Sequence, residues 1–467
     1  MRFMPSVALA VASLVAAPAM ADKGPDTVPV PPSGVVGISN NAMLTPDFWI
    51  KQLAQPDRVL LDPAAIQAQN ARLLQVDPSM HDLKALPAAL DRAKVEGWIK
   101  DLSQYPSKPL YDVNGKPVPA TLKQEVTDQL ALDRVPAQQP TRYGLVVQRA
   151  ALRTFPTDLR VFTSVDDHDI DRFQETAEFP GTPVVIAHES RDGQWLFVVS
   201  PRYAAWTRHE NVAEGSSAEV FGYAGKTPLR IVTGDNVATV FTPEQPGVSQ
   251  LQLDMGVAVP VLSDHPADQP VNGQSPYASY VVELPLQGAE GKLAFSPALV
   301  QRLADTGDAY LPLTEANIIR QGFKFLGERY GWGHAYDGRD CSGFVSDVYR
   351  SMGVQMPRNT SKQAISPGLT HQAFTDKDSH DARMKAALAL NVGDLVYIPG
   401  HVMMVIGKLN GAPYVIHDTG GISYLDGSGA MRRVKLNEVS VTPLLPLMWD
   451  SKHSYVDRMT SIVHVHP

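Results

Sequence analysis

The sequence predicts a multidomain chain: a mostly helical N-terminal segment, two small all-β barrels and a C-terminal α+β domain. Three observations carry this. A length of 467 residues corresponds to about three domains at ~150 residues each. The apolar pattern is helical over about 45–105 and turns to short β-rich runs over about 140–300. After Pro312 it becomes helical again and then strand-like, a change of period that marks a change of architecture. The boundaries drawn from it are 1–21, 22–138, 139–212, 213–305 and 306–467.

Residues 1–21 read as a secretory signal. Arg2 is a short positive region, Val7 to Ala17 is too short to span a bilayer, and Ala19-Met20-Ala21 is a small-x-small cleavage site. No cysteine follows that site, which excludes a lipoprotein anchor, and no later apolar run has the length of a membrane span. The expectation is an exported protein, periplasmic or secreted, with no membrane partner once the signal is removed. Pro25, Pro29, Pro31 and Pro32 then make an extended leader. Helices follow over Asp62 to Leu74, with Ile66, Leu73 and Leu74 on one side, and over Leu86 to Leu102.

The first β stretch holds Leu145-Val-Val147, Val184-Val-Ile186 and Trp195-Leu-Phe-Val-Val199, with Asp192-Gly193 as a hairpin turn. The second holds Leu229-Arg-Ile-Val232, Val257-Ala-Val-Pro-Val261 and Tyr280-Val-Val282. Beyond Pro312, Thr314 is an N-cap for a helix bearing Ile319, Phe323 and Leu326. A second helix starts at Cys341, with Phe344, Val348 and Met352 on one face and Gly353 as its stop. Strands follow at Asp394 to Ile398, His401 to Ile406 and Tyr414 to His417, the middle one apolar on both faces. Residues from Ser366 to Asp381 read as a solvated loop without assigned function.

Apolar residues make up 44% of the chain and charged residues 19%, as in a globular protein, and the formal charge of −8 becomes about −9 without Arg2. An acidic balance argues against nucleic acid and polyanionic polymers. A small soluble ligand suits it better. Oligomeric state is not legible.

Cys341 is the single cysteine, so no internal disulfide forms and its thiol is either inert or reactive. At a helix N-terminus the macrodipole and free N–H groups favour thiolate and can receive an oxyanion. His401, heading a strand, is the base this chemistry needs, and His417 on the next strand can fix its tautomer. The order Cys, His, polar residue is that of papain. On composition alone, a lone Cys is a small buried hydrophobe and a His on an apolar strand a satisfied core residue. Zinc on His401, His417 and Asp418 is a further option, but no H-E-x-x-H or cysteine pair accompanies it.

A set of motifs resolves the choice. Arg329-Tyr-Gly-Trp-Gly, Asp340-Cys-Ser-Gly-Phe-Val345, Met356-Pro-Arg358 with Gln363, Val392-Gly-Asp-Leu-Val396, Gly400-His-Val402 and Ile416-His417 occur in that order. Together they resemble the NlpC-type papain-like cysteine peptidases of bacterial cell walls. The resemblance covers about residues 310–450 and implies Cys341 as nucleophile, His401 as general base and His417 as the third residue, with no cofactor or metal. The β stretches resemble bacterial SH3-like domains, through Gly181-Thr-Pro-Val184 and Tyr203-Ala-Ala-Trp206. The domain order is similar to that of γ-D-glutamyl-L-diamino-acid endopeptidases, where the first SH3-like domain walls off one end of the cleft. The implied substrate is a peptidoglycan-derived peptide, a small muropeptide with a free N-terminal L-Ala, cut between γ-D-Glu and the diamino acid.

Further site residues each carry two readings. Asp340 is a partner for a substrate ammonium or the cap of the Cys341 helix. Tyr330 resembles the family tyrosine that assists the oxyanion, or packs at the helix end. Glu175 and Tyr203 contact the substrate amine, or belong to the barrel. Ser342 and Ser361 bind substrate, or cap turns. Arg358 pairs a substrate carboxylate, or makes a surface ion pair. Trp332 lines the cleft or packs beneath it. Two rival functions stand: a non-catalytic wall-peptide binding module, and an amidase or acyltransferase on the same core.

Overall fold

A computed structural model describes residues 34–166 and 168–466. The signal segment and most of the proline-rich leader fall outside the described residues. Among the described residues no helix is long and apolar enough to cross a membrane.

The N-terminal helices divide between two cores. Helix Pro63–Val76, capped by Asp62 accepting from the Ala65 amide at 2.8 Å, sends Ile66 and Leu73 into the C-terminal core. Trp49 packs there too, its ring centroid 5.1 Å from that of Tyr414. Helices Arg92–Leu102 and Leu122–Gln129 instead pack Val95, Ile99, Leu122 and Val126 against Phe155, Phe173 and Trp206 of the first β unit. The helix expected over Leu86 to Leu102 starts at Arg92, because Ala89–Asp91 pairs with Gln138–Pro140 and Asp91 then caps it.

The first β unit is a seven-stranded antiparallel sheet running from Arg142–Val146 to Val212–Gly215. The turn at Asp192-Gly193 joins Pro183–Glu189 to Trp195–Val199. Gly193 takes φ +72°, which glycine adopts without a Cβ penalty. A helix the sequence pattern did not signal, Ser217–Tyr223, follows with a capping box from Ser216 and Glu219. The second β region comprises small antiparallel sheets, including the long hairpin Ser279–Gln287 with Leu293–Gln301, around a core of Val232, Leu253, Val259, Val282 and Leu284.

The C-terminal domain sets helices Glu315–Phe323 and Cys341–Arg350 against a six-stranded antiparallel sheet. Its strands lie in the order Thr370–Ala373, Ser461–His464, Leu395–Ile398, His401–Leu409, Ala412–Leu425, Met431–Pro443. Val402, Met404 and Ile406 face the Cys341 helix, whereas Met403 and Val405 pack toward Ala387 of helix His380–Ala389. This two-sided burial accounts for the strand's apolar alternation on both faces. Residues 366–381 are not a plain loop. Thr370–Ala373 is an edge strand paired with Ser461–His464, and Ser366 is buried against Asp77. Its mostly exposed side chains leave no apolar pattern to read.

Phe344 is fully buried and meets Phe325 edge-on at 5.7 Å. Replacing it with alanine is expected to destabilise the protein by about 3–5 kcal/mol, read as a lowered denaturant midpoint.

Candidate active site

The loop from Arg329 to Asp340 is tied to the first β unit before it enters the Cys341 helix. Trp332 donates its indole N–H to the Gln174 carbonyl at 3.0 Å, and Gln174 returns a bond to the Gly333 carbonyl at 2.8 Å. Arg149 donates to the carbonyls of His334 and Gly338. Gly333 has φ +57°, and a Cβ there would sit 2.9 Å from the Glu175 backbone, so only glycine permits this approach.

Asp340 caps the helix. Oδ1 accepts from the Gly343 amide at 2.8 Å and Oδ2 from the Gly333 amide at 3.0 Å. Arg358 adds a bidentate pair at 2.7 and 3.1 Å, and Ser342 also donates to Oδ1. Five donors fill both oxygens, which leaves the capping reading as the one the geometry carries. Burial pushes this carboxyl up, but Arg358 and the amides outweigh it and hold it below its ordinary range. Arg358 is buried rather than on the surface, and it also bonds Thr176, Ser342 and the His334 ring. Its guanidinium is spent inside the protein, so it is not free to receive a substrate carboxylate.

The Cys341 sulfur lies over the backbone that flanks His401. Sγ is 4.0 Å from the Gly400 carbonyl oxygen, and the Val402 N–H is directed at it. His401 turns Nε2 to His417 Nδ1 at 2.8 Å, with ring centroids 5.1 Å apart. This leaves His401 Nδ1 as the nitrogen not committed to His417. Beyond it, His417 Nε2 lies 3.0 Å from the Thr442 hydroxyl.

The electrostatics depart from the expectation of a stabilised thiolate. Cys341 is only 6% exposed. Burial and then the Asp340 charge push its thiol up, against the smaller opposing effect of the Val402 amide. The helix N-terminus does not offset this, because Asp340 occupies the Gly343 amide and brings a negative charge. Burial also pushes His401 down to about 4. At rest both groups are therefore on the neutral side, thiol and imidazole alike. Tyr330, also mostly buried, has its phenol pushed up by burial and then by Cys341, Asp340 and Asp418.

Glu175 and Tyr203 meet at the seam between the first β unit and this site. The Tyr203 hydroxyl donates to Glu175, which also accepts from Thr154, and the Asn359 side chain reaches the same hydroxyl. Ser361 is exposed in the short helix Thr360–Gln363 two residues further on. Trp332 is half-buried and packs against the β unit.

Sequence reasoning missed Thr176, His334, Asn359 and Thr442, which carry no local motif. Asp418 was weighed only as a zinc ligand. Alternate residues of a strand point to opposite faces, which separates His417 from Asp418. Among the described residues no group of three or more His, Cys, Asp or Glu is placed to hold a metal. Asp418 is instead fully buried, with neither carboxylate oxygen bonded among the described residues. Burial, followed by Asp340 and Glu328, pushes its carboxyl well up.

Two family models match segments of the chain. Residues 327–442 match the NlpC/P60 family, and residues 160–208 match an SH3 domain of the SH3b1 type. The C-terminal domain is similar to the NlpC/P60 family over that range. A solved NlpC/P60 endopeptidase from Photobacterium damselae subsp. piscicida is similar in fold, with TM-score 0.70 and 16% identity over 88% of this chain and 94% of that one. An NlpC/P60 family protein from Bacillus cereus ATCC 10987 aligns with TM-score 0.46 and 19% identity over 70% of this chain and all of that one. No curated protein matches the sequence. The NlpC/P60 match spans every motif segment from the Arg329 loop to Thr442.

Two outcomes follow. Asp418→Ala should stabilise the protein by about 1–3 kcal/mol at neutral pH, since it removes an unsatisfied buried group. The fold holds this carboxyl well above its unfolded range, so its penalty grows as pH rises above the ordinary carboxylate range. The gain should therefore shrink toward pH 4 in denaturant titrations. Second, the rate of Cys341 alkylation by iodoacetamide, without substrate, should climb throughout pH 6–10. A plateau already reached at pH 6 would reveal a preformed ion pair instead.

Proposed function

We propose that this protein is an exported cysteine endopeptidase that hydrolyses the γ-D-Glu–diamino-acid bond of small peptidoglycan peptides bearing a free N-terminal L-Ala. The observation that carries it is the Cys341 sulfur seated on the backbone around His401, with His401 bonded to His417, inside a domain similar to the NlpC/P60 family. The similarity in fold to an enzyme described as an endopeptidase supports the reaction class.

In this reading His401 Nδ1 takes the thiol proton as Sγ attacks the scissile carbonyl carbon. A neutral thiol beside a neutral base makes proton removal part of the attack rather than a step before it. The oxyanion is met by the Cys341 and Ser342 N–H groups, which Asp340 does not occupy, and by the Tyr330 phenol. His401, now imidazolium, gives its proton to the departing amine, leaving a thioester. Water then attacks the thioester carbonyl with His401 again the base, the C–S bond breaks, His401 returns its proton to the Cys341 sulfur, and the γ-carboxylate product departs. Glu175, on the first β unit and held by Tyr203 and Thr154, is the acceptor for the α-ammonium of the free L-Ala end. Asp340 and Arg358 hold the helix start in place.

The test is incubation with L-Ala-γ-D-Glu-diaminopimelate and measurement of free diamino acid. Cys341→Ala should release none, and N-acetylation of the peptide should abolish most turnover. Glu175→Gln should raise KM with little change in kcat, the mark of lost ground-state and transition-state binding alike. If the wild type releases no diamino acid but binds the peptide, the binding-module reading replaces this one. Release of a different acyl product points to the amidase or acyltransferase reading.

A further inference from the structure

The hydrogen-bond chain behind the base has two arrangements, and only one supports catalysis. His417 Nε2 stands 3.0 Å from the Thr442 hydroxyl, and His417 Nδ1 stands 2.8 Å from His401 Nε2. If His417 carries its proton on Nδ1, it donates to His401 Nε2. His401 must then carry its own proton on Nδ1 and has no lone pair left for the thiol. If His417 carries its proton on Nε2, it donates to Thr442, and its Nδ1 accepts from His401 Nε2–H. His401 Nδ1 is then a base. Once His401 becomes imidazolium both of its nitrogens carry protons, so only the second arrangement survives.

We propose that Thr442 is the positioning residue that supports the productive tautomer, its hydroxyl oxygen accepting a hydrogen bond from His417 Nε2–H. A hydroxyl can donate as well as accept, and the His401 imidazolium formed in the reaction sets it as the acceptor. The inference rests on the cysteine-peptidase reading for its kinetic consequence. The placement is well suited to the task. Thr442 lies on Met431–Pro443 opposite Val415, and both it and His417 are fully buried. No solvent can substitute for the hydroxyl there, and a buried ring N–H without an acceptor is costly. A threonine in a strand is ordinary on propensity grounds. Valine would satisfy that preference equally, with the same branched shape and no acceptor.

The test compares Thr442→Val with Thr442→Ser. In the valine variant kcat should fall on the order of 100-fold, within the range a general base supplies, with KM nearly unchanged. The serine variant keeps the hydroxyl and should stay within about threefold of wild type. Histidine-selective ¹⁵N spectra, assigned with His417→Gln, read the tautomer without substrate. Wild type and Thr442→Ser should show His417 protonated at Nε2, and Thr442→Val should show the proton moved to Nδ1. Valine-variant turnover near wild type, an Nδ1 proton on wild-type His417, or loss of kcat in the serine variant equal to that in valine each overturns the proposal. If the wild type cleaves no peptide, the peptidase reading fails, while the spectra still decide which nitrogen of His417 bonds Thr442.

Discussion

A guanidinium with no solvent exposure, that of Arg339, ties the protein together two residues before the Cys341 sulfur. Within the C-terminal domain it reaches Glu328 and Asp347. From the second β region it takes Asp254 and the Asp235 carbonyl. Its neighbour Asp340 points the other way, to Arg358 and through it to Thr176 of the first β unit. Two consecutive side chains thus fix the start of the Cys341 helix to both β regions at once. Taking such charges out of water is expensive, and removing one partner of a buried pair costs about 3–5 kcal/mol because the other is left uncompensated. The gain is in geometry: the helix start cannot shift without breaking several charge-assisted bonds.

That rigidity determines the electrostatics at the sulfur. The carboxylate that caps the helix also consumes the amide that would have favoured thiolate, and burial raises the thiol while lowering the imidazole. The site is arranged less as a preformed ion pair than as a neutral thiol and a neutral imidazole, with His401 backed by His417 and Thr442 in one hydrogen-bond chain. The unbonded Asp418 carboxyl under this arrangement is a second charge kept neutral by its surroundings. Unsatisfied buried groups of this kind gather where function constrains the fold.

Much of this was legible in the residues. The helix begins at Cys341 because Asp340 is a capping residue followed by Phe344, Val345 and Val348 on one face, a local pattern. The strands of His401 and His417 are legible from their apolar runs, and the hairpin at Asp192-Gly193 from its turn chemistry. The edge strand Thr370–Ala373 was not, since its partner Ser461–His464 lies some ninety positions away and its side chains are mostly exposed. The division of the N-terminal helices between two cores was equally hidden, because amphipathic faces do not name their partners. Arg358 reads from the sequence as a substrate-carboxylate partner or a surface ion pair, and only its long-range partners make it a buried structural charge.

The sequence by itself determined the order of elements, the thiol, the two imidazoles and the motifs around them, because capping, periodicity and turn chemistry act over a few residues. The tertiary structure alone decided which nitrogen of His401 is free, how far the thiol is desolvated, and which charges Arg339 and Arg358 neutralise. Those properties depend on groups brought together from distant parts of the chain, through burial and Coulomb terms that act across space.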